Sequence, residues 1–288
     1  MKTITLNRIP LLLLLAIVLF ASCEKNNDVS ISTKEEMVEV GGYQLYTRTS
    51  GEKEPKIVLI SGVGGSTHDW RSMEDDFSEV ATVINYDREG LGKSPWQKRA
   101  KDSETVAKEL HTLLAAKNVA PPYILVGHSL GGFYARAFTN LYKNEVEGII
   151  LVDPTPENLI DSLIAMLPLE EQPGAREALR KAEEESIKQL PEGGIKEEVK
   201  AINTLYQQAR NMILTTDAPI AIISSMRLEK GDAQISKETA KKQRDQLLAQ
   251  ISTGPNKHYT TTKAGHFVQK DQPALVMEAV NWVMMNIQ

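Results

Sequence analysis

Short apolar runs alternate with amphipathic stretches along most of this chain. Residues 57–60 (Ile57-Val58-Leu59-Ile60), 81–86, 123–126, 148–152 and 220–223 are brief and almost wholly apolar. Runs of that length predict strands buried on both faces, because a strand with one wet face would alternate instead. True alternation occurs once, over residues 37–40 and 43–49, and is broken by Gly41-Gly42. That pattern predicts an antiparallel hairpin. Between the apolar runs, residues 69–77, 103–117, 129–142 and 273–287 repeat their apolar positions with a helical period. Strands alternating with helices predict an α/β fold with a mostly parallel, doubly wound sheet. Ligands of such sheets bind at the carboxyl ends of the strands.

Two segments depart from this rhythm. Residues 157–215 are helical and charged, and are interrupted by Pro168, Pro173, Pro191 and Gly193-Gly194. Inserted after one strand, they predict a helical cap over the sheet edge, with Leu163, Met166, Leu167, Met212, Ile213 and Leu214 as pocket walls or cap core. The other segment is the N-terminus. Lys2 and Arg8 give a positive segment ahead of an apolar core, residues 11–20, which as a helix spans about 15 Å, half a bilayer's hydrocarbon thickness. A core that short predicts a signal peptide over residues 1–22 rather than a membrane span. It runs into Phe20-Ala21-Ser22-Cys23, which resembles the lipobox of bacterial lipoproteins. That resemblance implies a lipidated Cys23, a polar tether over residues 23–35, a globular domain over 36–288 and a location in the cell envelope, held to a bacterial membrane by the lipid anchor.

Composition narrows the function by exclusion. The chain has 288 residues, 41% hydrophobic and 25% charged, as in ordinary globular proteins. Its 33 basic and 38 acidic residues give a net charge of −5. Without residues 1–22, which hold two basic residues and no acidic one, the charge is −7. An acidic chain with no basic block is a poor nucleic-acid binder, so no nucleic-acid partner is expected. A single cysteine excludes an intrachain disulfide and any multi-cysteine metal site, and no metal is expected.

The chemistry concentrates in Gly127-His128-Ser129-Leu130-Gly131, a G-x-S-x-G pattern between an apolar run and a helical one. A sharp strand-to-helix turn favours glycine on both sides and lifts the Ser129 hydroxyl above the sheet edge at a helix N-terminus. A serine nucleophile needs a base. Of the five histidines, His128 is confined in the turn, His111 lies in an exposed helical pattern, His258 begins a strand pattern, and His68 follows a glycine-rich loop that could line the site. His266, in Ala264-Gly265-His266-Phe267 after a strand-like run and before the last helix, is the expected base. An acid must hold its tautomer. Asp153, ending a strand before Pro154, is favoured, with Glu229 and Asp232 as alternatives. Asp217 precedes its strand and so lies at the wrong edge. Oxyanion donors are expected from the backbone N–H groups of Val63, in the loop Ser61-Gly62-Val63-Gly64-Gly65, and of Leu130.

Together these residues resemble the α/β-hydrolase superfamily, specifically its serine hydrolases with a helical cap, over about residues 37–288. The segment Asp87-Arg88-Glu89-Gly90-Leu91-Gly92-Lys93-Ser94 is similar to the family's D-x-x-G-x-G-x-S stretch, and Gly265-His266-Phe267 with Asp271-Gln272-Pro273 to its histidine loop. Where such enzymes often open the oxyanion loop with a histidine-glycine pair, this chain has Ser61-Gly62. Serine at the turn sets it apart from the aspartate-dependent dehalogenases and epoxide hydrolases. The resemblance implies a serine hydrolase that cleaves an ester-like bond of a small molecule through an acyl-enzyme, without a cofactor, and gives Asp87 and Arg88 a bracing role. Two other readings are a lyase or isomerase on the same scaffold and a surface-tethered, non-catalytic binding protein.

Overall fold

A computed structural model describes residues 32–229 and 233–287. The expected signal peptide, Cys23 and Asp232 lie outside the described residues. Strands β1 (Lys34–Glu39) and β2 (Gln44–Ser50) form the antiparallel hairpin, turning at Gly41 and Gly42, both with positive φ. There follow β3 (Lys56–Ile60), a 3₁₀ turn (Thr67–Trp70), α1 (Arg71–Ser78), β4 (Thr82–Tyr86), α2 (Ser103–Ala116), β5 (Tyr123–His128), α3 (Gly131–Leu141) and β6 (Val146–Val152). Three helices come next: α4 (Leu159–Ile164), α5 (Gln172–Gln189) and α6 (Gly194–Asn211). The chain then returns to the sheet with β7 (Ile220–Ser225), α7 (Gln234–Ile251) and β8 (Asn256–Thr261), and ends with α8 (Val268–Asp271) and α9 (Pro273–Asn286).

Among the described residues there is one sheet, in the order β1-β2-β4-β3-β5-β6-β7-β8. It is parallel from β4 to β8, and the hairpin joins it antiparallel through β2 and β4. The apolar runs read as strands buried on both faces are those strands. In β3, Ile57 and Leu59 join a core under α1 and α9, while Val58 and Ile60 join one under α2, α3 and α7. Successive side chains leave a strand on opposite faces, so helices on both faces require an apolar residue at every position.

Three features depart from the sequence expectations. First, β1 begins at Lys34, within the stretch assigned to a tether, and Lys34 and Glu35 pair with Thr49 and Arg48 of β2. Its start gives no apolar signal because Lys34, Glu35 and Glu36 are all charged, as suits the edge of a sheet. Second, α7 was not anticipated; its buried face is Ala240, Arg244, Leu247, Leu248 and Ile251, and the arginine interrupts the apolar periodicity. Third, Met166 and Ile213 face solvent, Ile213 at 91% exposure; of the six cap candidates Leu214 is buried in the main core and Met212 packs against it.

Helix α6 meets the loop after β4 through a glycine pair. A side chain on Gly194 would collide with the Gly90 carbonyl, and one on Gly90 would lie 2.9 Å from the Gly194 Cα. Gly90 also has φ 75°, where other residues are strained. No helix among the described residues is long and apolar enough to cross a membrane.

Candidate active site

The site assembles at the carboxyl ends of β3, β5, β6, β7 and β8. The turn from β5 to α3 is as tight as its glycines imply. A side chain on Gly131 would strike the carbonyl oxygens of Ile60 and Ser61, and one on Gly127 would lie 2.7 Å from the Gly131 carbonyl oxygen. Ser129 sits at the apex with φ 52°, an uncommon conformation for a residue other than glycine, and its N–H donates to the Val152 carbonyl, 3.0 Å. Such strain persists where the surroundings over-determine it.

The hydroxyl so presented meets His266. Ser129 Oγ lies 2.9 Å from His266 Nε2, and His266 Nδ1 lies 2.7 Å from Asp153 Oδ2, although 137 and 113 residues separate the partners in sequence. Burial favours a protonated Asp153, but Arg244, His266 and the Ser225 N–H outweigh it and hold the carboxyl below the usual aspartate range. An ionised carboxylate only accepts, so His266 carries its proton on Nδ1 and leaves Nε2 free to accept from the serine. The His266 side chain is 42% exposed. Thr155 stands on another side of the serine, Oγ1 to Oγ 3.3 Å.

Glu229, the alternative acid among the described residues, and Asp271 lie elsewhere. Glu229 pairs with Arg227, 2.9 Å, at the rim beside Gly265. Asp271 accepts from the Gly265 N–H, 2.7 Å, and so shapes the histidine loop. The remaining histidines separate in the same way. His68 is exposed on the 3₁₀ turn, and His111 stacks on Tyr142. His128, read as confined, also holds its neighbour: its Nε2–H donates to the His266 carbonyl, 3.0 Å, while Nδ1 has no protein partner. Burial pushes the His128 ring down to about 4, so it is neutral around pH 7.

The loop after β3 lies directly against the turn. A side chain on Gly62 would come within 3.1 Å of both the Ser129 Cβ and the His128 ring. Val63, next along, is 43% exposed, and neither its N–H nor that of Leu130 has a hydrogen-bond partner among the described residues. Arg88 does the bracing here: it donates to the Ser61 and Gly62 carbonyls, 2.7 and 2.6 Å. In a trans peptide the N–H points opposite to the carbonyl, so the Val63 N–H points away from the guanidinium that holds the Gly62 carbonyl. Asp87 ties the neighbouring turn, accepting from the N–H groups of Thr67 and Lys93.

Two residues were missed from the sequence. Glu198 of α6 accepts from the Gly64 N–H, 2.8 Å, and pairs with Arg88. Arg244 of α7 lies against Asp153. A buried charge on an otherwise charged helix carries no distinctive spacing. The only signal for Arg244 was its place in the i, i+3, i+4 series 240, 244, 247, 248, 251. Among the described residues no group of three or more His, Cys, Asp or Glu side chains is arranged to hold a metal ion.

Similarity to known proteins falls on the same elements. A family model described as alpha/beta hydrolase fold matches residues 55–187. The Bacillus subtilis protein named Uncharacterized protein YqjL is 31% identical over 121 residues, covering 42% of this chain and 48% of YqjL. A (lyso)-N-acylphosphatidylethanolamine lipase of Bos taurus is 34% identical over 101 residues, 34% of this chain and 30% of the lipase. The chain thus spans under half the length of these curated relatives. Among solved structures, a thermophilic esterase from Thermogutta terrifontis superposes with a TM-score of 0.64 at 18% identity, over 88% of this chain and 100% of the esterase. The fold of this chain is therefore the α/β-hydrolase fold.

Proposed function

We propose that this chain is a serine hydrolase that cleaves an ester-like bond of a small molecule through an acyl-enzyme. The observation that carries the reading is the unbroken series Ser129 Oγ, His266 Nε2, His266 Nδ1, Asp153 Oδ2, with spacings of 2.9 and 2.7 Å, at the sheet edge where α/β proteins bind ligands. The relatives' lipase and esterase names agree with it in kind.

In this scheme Ser129 Oγ attacks the carbonyl carbon as His266 Nε2 takes the hydroxyl proton. The ring becomes a cation, stabilised by the ionised Asp153. The Val63 and Leu130 N–H groups receive the charge that forms on the carbonyl oxygen, and the N-terminus of α3 adds its dipole. His266 then gives its proton to the leaving oxygen or nitrogen, and the acyl group stays on Ser129. A water deprotonated by the same ring attacks the acyl carbon and restores the serine.

Labelling by a fluorophosphonate probe, read together with hydrolysis of a panel of p-nitrophenyl esters of increasing acyl length, tests the reading. Labelling of wild type but not of Ser129→Ala, with turnover of at least one ester, is expected. Labelling without turnover of any ester would favour a lyase or isomerase. No labelling would leave a binding protein.

The second proposal concerns location. Cys23 is taken to be the lipidated first residue of the mature chain, tethering the hydrolase to a bacterial cell membrane. The short apolar core before it and the small residues Ala21-Ser22 support this. Cys23→Ser is expected to abolish palmitate incorporation and release soluble protein. Palmitate that still enters the variant would refute the assignment.

A further inference from the structure

The side of Asp153 that faces away from His266 carries a chain of hydrogen bonds that the proposed mechanism does not use. Arg244 is buried, and its guanidinium wraps the end of β6. Nη1 lies 2.8 Å from Asp153 Oδ1, while Nε and Nη2 donate to the Pro154 carbonyl at 2.8 and 2.6 Å. The Ser225 N–H donates to the same Oδ1, 2.9 Å. Asp153 has φ 41°, so one cation holds both the carboxylate and the next carbonyl of a strained turn.

The guanidinium is held in turn. Its Nη1 donates to Ser224 Oγ, 3.0 Å; Ser224 lies 2.7 Å from His258 Nε2, and His258 Nδ1 lies 2.5 Å from Asp245 Oδ1. Burial pushes the His258 ring down, and Asp245 offsets this only in part. In a neutral ring with its proton on Nδ1 every donor has an acceptor: Arg244 to Ser224, Ser224 to His258, His258 to Asp245. Ser224, His258 and Asp245 share the residue types of a catalytic triad. Ser224 is wholly buried, however, with its hydroxyl against a guanidinium, and so lacks the access a nucleophile requires.

We propose that Arg244 is a positioning residue for the acid of the site: its fork, oriented by Ser224 and His258, fixes the Asp153 carboxylate in line with His266 and partly neutralises it. The inference rests on the serine-hydrolase reading for its effect on rate, but not for its effect on the histidine. A carboxylate shared with a buried cation draws less on the imidazolium than a free one does. Other charged or titratable groups around the pair are His128, the Arg227–Asp271 pair, Glu229 on Arg227 and the Lys270–Asp69 pair. Lys241 pairs with Asp245 at the far end of the chain. All of these remain in the variants below.

The test is an NMR titration of the His266 ring in wild type, Arg244→Gln and Arg244→Lys, with the kcat and KM profiles of each against pH. In Arg244→Gln, which removes a cation from the Asp153 carboxylate, His266 is expected to take up its proton at a higher pH than in wild type. The acid limb of kcat/KM should follow, and kcat at its plateau should fall about tenfold or more with little change in KM. Arg244→Lys keeps the charge and loses the fork, so it should titrate near wild type while its kcat stays depressed. A merely structural arginine would lower the melting temperature and leave titration and plateau kcat unmoved, and that result overturns the proposal. If Arg244→Gln does not fold, Arg244→Lys with wild-type kcat overturns it equally. Should wild type turn over no ester, the hydrolase reading fails, and the titration still decides the role of Arg244.

Discussion

Glu198 and Arg88, 110 residues apart, form an ion pair in which both side chains are buried, with Nε to Oε1 at 2.7 Å. One partner lies on α6, and the other grips the carbonyls of the loop that carries Val63. Removing one member of a buried pair strands the other charge and typically costs about 3–5 kcal/mol, whereas replacing both with apolar residues is often near neutral. Glu198→Met is therefore expected to be strongly destabilised, and Arg88→Met with Glu198→Met to recover most of that stability. The double variant should still lose about 10²-fold in kcat, because the Val63 N–H is no longer aimed. Denaturant melts and ester kinetics on the three proteins check both halves.

Ser129→Ala and His266→Ala should each lower turnover of an activated ester by about 10³-fold or more. The double variant should match the singles, since the two groups act as one unit. Losses that multiply would separate the serine from the histidine.

Asp153→Asn should lower kcat by about 10⁴-fold. It also leaves Arg244 without its carboxylate, so a lower melting temperature is expected alongside. Glu229→Gln, at the rim, should keep most of the rate. A Glu229→Gln protein as slow as Asp153→Asn would move the acid from β6 to the loop after β7.

What could be read in the sequence follows from what each residue had to satisfy. Residues 57–60 were legible as a strand because helices on both faces demand an unbroken apolar run. Ser129 was legible because Gly127 and Gly131 are forced by backbone contacts closer than any side chain permits. His266 and Asp153 were reachable by strand order alone. Arg244 and Glu198 were not: each is a buried charge whose partner is distant in sequence, on a helix that reads as polar. Lys34 and Glu35 failed likewise, since an exposed edge strand needs no apolar face.

His128 predicts an acid-side loss of stability. Its ring titrates near 4 in the folded chain against an ordinary 6.5, because it is buried. As pH falls from 6.5 toward 4 the unfolded chain takes up a proton that the folded one refuses. Stability thus drops through that window, by on the order of 3 kcal/mol. His128→Gln keeps a donor for the His266 carbonyl and cannot titrate, so its stability curve should be flatter over the same range. Parallel curves would contradict a buried neutral ring.

Gly131→Ala should leave little folded protein, because the new methyl group would meet the carbonyls of Ile60 and Ser61. Gly174→Ala, in α5 with open space around it, should be neutral or stabilising by about 0.5–1 kcal/mol. Thermal melts of the two variants make the comparison.

The glycine contact between Gly90 and Gly194 has a mechanical consequence. Backbone against backbone leaves no side chain to swing aside, and Glu198 one turn further on adds a buried ion pair, so α6 is held fast against the loop after β4. Helix α5 has no buried residue and so has little to lose by moving. Movement should therefore fall on α5, with α6 acting as the jamb against which it swings. In hydrogen exchange the α5 amides should open well before those of α6. Replacing Gly194 with alanine should loosen the jamb and bring the two helices' exchange rates together.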